Sequence, residues 1–149
     1  MKNVLFVLFA LLAFGIKADS DNAQFSGTIA SFCTVGQTSP GIMTVSGTSV
    51  STDTAAIMAV SNNDANSYKI NATNAGDFTS TPSAYTGTAS LTTSMTVAGA
   101  NTGSVPSGQE LNLTNSGNDT VNVSISGTLD SPAVAGSYDA VAVVSCVAQ

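Results

Sequence analysis

Two thiols, nine carboxylates and no imidazole are what this 149-residue chain offers for chemistry. Without histidine, the commonest general base and metal ligand is missing. A Ser–His–Asp or Cys–His site is excluded, and two cysteines alone do not build the usual tetrahedral zinc centre. The acids are scattered singly. A glycosidase-type carboxylate pair would have to be assembled by the fold, from Asp64 with Asp77 or Asp119 with Asp130. No glycine loop followed by a lysine is present to cradle phosphate. The run Asn62-Asn63-Asp64-Ala65-Asn66 supplies hard oxygen ligands of the kind calcium takes, but it reads more simply as an Asx-rich turn. Four Asn-X-Ser/Thr triplets begin at Asn71, Asn112, Asn118 and Asn122, as expected by chance in a chain so rich in these residues. Phe78 and Tyr85 offer a small surface for stacking sugars, or a pair of rings to pack under a loop. The chain reads as a non-enzyme with no cofactor and no metal.

The N-terminus indicates where such a chain works. Lys2 precedes an apolar run, Val4 to Ile16, and Lys17-Ala18-Asp19 follows it. A charged start, an apolar stretch and a small residue before a polar start make a secretory signal. At about 13 residues the run is too short to span a bilayer comfortably. Residues 1–18 are expected to be a signal peptide cleaved after Ala18, and 19–149 a single domain. That domain keeps one base, Lys69, against nine acids. Such a surface repels nucleic acid and anionic membranes. No membrane insertion is expected once the signal is removed. Export places the two cysteines in an oxidising compartment.

Alanine, serine, threonine, asparagine, glycine and valine dominate, which disfavours helices and favours strands joined by turns. The pattern predicts strands at 24–35, 42–45, 54–60, 68–72, 89–98, 110–114, 120–129 and 136–147, with 46–54 as a loop. Thr54–Val60 is apolar on both faces and suits a central strand. It pairs with Tyr68–Ala72 as a hairpin across the Asn-rich turn. Thr93 interrupts the apolar face of 89–98. Val121, Val123 and Ile125 face inward. The expected fold is all-β, an immunoglobulin-like β-sandwich of about seven or eight strands.

Each cysteine lies in an end strand. Phe25, Gly27, Ile29, Ser31, Cys33 and Val35 share one face, as do Tyr138, Ala140, Ala142, Val144 and Cys146. Phe25 and Tyr138 therefore read as core. Both thiols face inward and neither has another partner, so Cys33 and Cys146 are expected to form a disulfide. A disulfide needs Cα atoms within about 7 Å, and strands separated by a third lie at about twice the 4.8 Å neighbour spacing. No strand can then pass between the two ends at that level. Either a groove between them ends short of the cysteines, or the two strands pair directly.

The stretches Phe25-Ser26-Gly27-Thr28-Ile29, Cys33-Thr34-Val35 and Ala135-Gly136-Ser137-Tyr138-Asp139-Ala140 resemble the opening and closing strands of chaperone–usher pilus (fimbrial) subunits, including the spore-coat-U-like branch. The likeness covers roughly a fifth of the chain beyond the signal. The sequence departs from the family pattern in having Ala148 where a penultimate aromatic is usual, and in the wide spacing of its cysteines. The resemblance implies a domain short of one strand, which a neighbour's N-terminal segment completes. Ala23, Phe25, Gly27 and Ile29 have the alternation of such a donor, with Gly27 at a notch. Read without the resemblance, the same stretch is equally an ordinary first strand of its own sandwich. The implied function is a secreted structural subunit of a surface fibre or fimbrium, exported through the periplasm. Its implied partners are copies of itself or related subunits, a periplasmic chaperone and an outer-membrane usher. The alternative is a secreted monomeric carbohydrate-binding or adhesin-like module serving cell adhesion.

Overall fold

A computed structural model describes residues 20–149; the expected signal peptide, 1–18, lies outside the described residues. Alternation of apolar and hydroxyl side chains sets the architecture. Along Ala89–Gly99, Leu91, Thr93, Met95 and Val97 are buried while Ser90, Thr92, Ser94 and Thr96 are exposed. A strand with one wet face of this kind belongs to a sheet covered on one side. Among the described residues ten strands follow one another: β1 (Cys33–Ser39), β2 (Ile42–Ser46), β3 (Ser49–Thr54), β4 (Ala56–Asn62), β5 (Tyr68–Ala72), β6 (Ala89–Gly99), β7 (Gly103–Val105), β8 (Glu110–Leu113), β9 (Gly117–Leu129) and β10 (Val144–Ala148). They form two antiparallel sheets, consistent with the expected sandwich. No helix among the described residues is long and apolar enough to cross a membrane.

The larger sheet is built on β9. One side of β9 pairs with β6 from Gly99↔Asp119 to Ala89↔Leu129. The other side pairs first with β4, from Asn62↔Gly117 to Ala56↔Val123, and then with β3 at Val50↔Gly127. β1 lies outside β4 and β2 outside β3. The smaller sheet is β10-β5-β8. Where β9 changes partner from β4 to β3, Ile125 keeps its rung with Thr93 of β6 but lacks one on this side. Thr52 replaces it with a side chain: its hydroxyl accepts the Ile125 N–H at 2.7 Å and donates to the Ile125 carbonyl at 2.8 Å. Thr52→Val keeps the shape and removes both bonds, leaving two partly buried backbone groups unpaired. An expected loss of about 1–3 kcal/mol follows. It is read from urea unfolding, and an unchanged midpoint would contradict it.

The core is in two parts. Ile70, Leu113, Val121, Val60 and Met95 centre the first, and Val50, Tyr85, Leu91 and Leu129 the second.

Several expectations change. The first strand begins at Cys33, not at Gln24; residues 20–32 are exposed and outside any strand, so Phe25, at 93% exposure, is not a core residue. Alternation allows a strand but does not supply its partner. β4 and β5 do not form a hairpin: β4 pairs with β1 and β9, and β5 with β8 and β10. The Asn-rich turn carries the chain from one sheet to the other. Ser46–Thr54 contains β3, a polar strand that buries little beyond Val50 and Thr52. The expected last strand is a strand, β10, only from Val144; upstream its one β-bridge among the described residues is Ser80↔Asp139.

Candidate functional site

Four of the residues singled out in the sequence lie on the N-terminal segment, and two join the sheets. Cys33 and Cys146 form a disulfide with Cα atoms 6.2 Å apart. It staples the outer edge of β1 to β10, so the two sheets are tied at one pole. Toward the other pole the edges part.

Between them runs an open groove of about 480 Å³. Its floor is the inner face of the large sheet, with Met43, Ala56, Met58, Val123 and Ile125. One wall is the edge from Gln37 through Pro40 and Gly41 to Met43. The other is the C-terminal segment from Tyr138 to Val144. The groove lies at the seam of the two core clusters: Met58 and Ala142 pack on the first, Met43, Ile125 and Ala140 on the second. It ends short of the disulfide, the first of the two arrangements that the cysteine geometry allowed.

The local sequence explains both walls. Pro40 cannot donate to a ladder, and Gly41 packs against β4 so closely that a Cβ there would stand 2.9 Å from the Ala56 nitrogen. The edge therefore bends between β1 and β2. On the other wall, the Asp139 N–H donates to Ser80, the Asp139 carbonyl accepts from Thr79 and Ser80, and the Val143 carbonyl accepts from Thr73. Among the described residues, Ala140, Val141 and Ala142 have no backbone partner at all. Val141 and Val143 are 58% and 53% exposed, and Ile42, across the groove, 59%. Unpaired backbone beside exposed apolar side chains offers another strand the same template that an open sheet edge does. Among the described residues, Asp139 is the only charged one in the groove lining.

The N-terminal segment shows the converse. Ala23, Phe25, Gly27 and Ile29 are all exposed, Ile29 at 87%. Ala23-Gln24-Phe25-Ser26-Gly27-Thr28-Ile29 carries no charge. A side chain added at Gly27 would meet nothing within 4 Å.

The remaining candidates are accounted for by packing. Asp119 is buried near the start of β9, where its carboxylate accepts the Asn101 N–H at 2.7 Å and Asn101 Nδ2 at 2.8 Å. Asp130 follows the other end of β9 and accepts the Thr88 N–H and hydroxyl, each at 2.9 Å, which hold its carboxyl below the usual range. The two stand at opposite ends of a thirteen-residue strand and make no pair. Asp77 caps Phe78 and Ala89 at the Leu129 end, while Asp64 sits in the turn at the Gly117 end. Among the described residues no three of His, Cys, Asp and Glu cluster. Phe78 and Tyr85 do not form a sugar platform: they pack with Tyr138, with ring centroids 5.0–6.4 Å apart, and Tyr85 is buried. Burial, with Asp130 nearby, pushes the Tyr85 hydroxyl up. Tyr138 packs in this second cluster, as its inward parity suggests, and its hydroxyl bridges the Val134 N–H and carbonyl.

The sequence allowed a groove between its two end stretches but did not place the residues that line it. One signal was present: Ala140-Val141-Ala142-Val143 is apolar on both parities, which marks a strand meant to be covered on more than one side.

No family model, no curated protein and no solved structure matches the chain.

Proposed function

We propose that the protein is a secreted structural subunit of a cell-surface fibre, in which the N-terminal segment of one copy fills the groove of the next. What carries this reading is a mismatch within one chain. It has a groove with room for a strand and, near its N-terminus, a strand-like segment that has no ladder partner among the described residues. The dimensions agree. Ala23–Ile29 is seven residues, about 20 Å when extended, and the wall Tyr138–Val144 is also seven residues. Inserted there, the segment gains ladder partners in the unpaired backbone of Ala140–Ala142 and covers the apolar floor with Phe25 and Ile29. This is β-augmentation, with main-chain bonds supplying affinity and alternate side chains supplying selectivity. Neither the segment nor, apart from Asp139, the groove is charged, so two acidic copies meet at neutral surfaces.

A synthetic peptide of residues 20–32, offered to protein lacking residues 20–29, tests the proposal. The expected result is saturable binding, with hydrogen-exchange protection appearing at Ala140–Ala142. A peptide with Phe25 and Ile29 replaced by aspartate should not bind. Absence of binding by the native peptide at millimolar concentration would overturn strand donation.

A further inference from the structure

The donor segment does not leave the body freely. One side chain, Asn63 in the turn after β4, holds its root. Asn63 Nδ2 donates to the Ala30 carbonyl at 2.9 Å, and Asn63 Oδ1 accepts the Phe32 N–H at 2.7 Å. The Asn63 N–H also donates to the Phe32 carbonyl, at 3.3 Å. These bonds continue the β1–β4 ladder past its last rung, Cys33↔Asn62. The chain is therefore held in one regular run from Gln37 back to Ala30, and the groove, which starts at Gln37, lies behind it.

Register decides what this allows. With Ala30 held, the tightest reversal uses two residues, Ile29 and Thr28. The returning strand would set Gly27 beside Ala30 and Ala23 beside Thr34. Every donor position then stops short of Gln37, and the disulfide bars the way between the edges at Cys33. With the root released, the four residues from Cys33 back to Ile29 reach up to about 14 Å. The four from Cys33 on to Gln37 rise about 13 Å. The segment could then just enter its own groove.

We infer that Asn63 is a positioning residue that aims the donor segment away from its own groove and commits it to the groove of a second copy. The inference rests on the strand-donation reading above. Asn63 is itself exposed, so its replacement leaves the packed body intact.

The test compares wild type, Asn63→Ala, Asn63→Asp and a variant with about ten Gly/Ser residues inserted between Ile29 and Ala30, long enough to bypass the clamp. Each oxidised protein is isolated as a monomer. Hydrogen exchange at Ala140–Ala142 reports self-filling, and light scattering reports assembly. Wild-type monomer should exchange rapidly at these amides and assemble. Asn63→Ala, lacking both side-chain bonds, should hold a roughly tenfold larger share of protected, assembly-incompetent monomer. Asn63→Asp keeps the Phe32 bond and should fall between. The insertion variant should self-fill with Asn63 in place. Asn63→Ala that exchanges and assembles like wild type overturns the inference, whatever the insertion variant does, and leaves strand donation standing. Wild type that neither assembles nor binds the residue 20–32 peptide overturns strand donation, and this inference with it.

Discussion

Replacing Phe25 and Ile29 together by aspartate should abolish assembly and leave the monomer as stable as before. Both side chains are almost fully in water, at 93% and 87% exposure. Exposed substitutions of this kind usually shift stability by no more than about 0.5 kcal/mol. In the filled groove the same two side chains would be covered. Burying a phenylalanine and an isoleucine contributes about 1.5–3 kcal/mol each, so losing both weakens association by roughly two to four orders of magnitude. Burying carboxylates in their place opposes insertion further. Gly27→Val separates the effect from simple loss of apolar surface. Its side chain meets nothing in the monomer but would enter the groove at the notch, so it should block assembly while adding apolar area. Assembly is measured by light scattering and stability by urea unfolding. If both variants assemble like wild type, the segment is not the donor. If both unfold the monomer, residues 20–32 belong to their own sandwich.

Removing the disulfide should have the largest effect on the monomer itself. Cys33 and Cys146 are separated by 113 residues, and for a loop of that length the chain-entropy model gives about 4–5 kcal/mol. That is comparable to the whole stability of many small domains. The staple also joins the two edges that bound the groove. Without it, β1 and β10 keep their ladders to β4 and β5 and are joined to each other only by apolar packing around Val35 and Val144. The double variant Cys33→Ala/Cys146→Ala should therefore unfold at much lower urea, and Ala72 and Val144 amides should exchange faster. Intact oxidised protein should weigh two hydrogens less than the dithiol under non-reducing conditions. A double variant with an unchanged midpoint would mean that the closed loop contributes nothing. Two free thiols, or a dimer linked through cysteine, would remove the bond from the argument altogether.

The sequence by itself determined the class of fold, because period-two alternation is a local property. Leu91, Met95 and Val97 are buried, with Thr93 between them, and Val121 and Val123 face inward, as their parity requires. Thr93, a polar residue on that apolar face, is buried with its hydroxyl accepting the Ala75 N–H at 3.1 Å and its own N–H donating to Asn74 Oδ1. The cysteine pairing was legible because two inward thiols have only each other. Pairing between strands was not legible. The alternation of Tyr68, Ile70 and Ala72 is the same whether β5 lies beside β4 or in the opposite sheet, and only the inter-sheet packing around Ile70 and Leu113 decided it. The N-terminal segment is the sharpest case. Phe25, Gly27 and Ile29 have the pattern of a strand face, and that pattern is unaltered whether a partner is present or missing. A strand is completed by hydrogen bonds to another piece of chain, and burial by surfaces distant in sequence. Whether Phe25 is core or solvent-exposed therefore depends on what stands beside it, which no stretch of residues encodes alone.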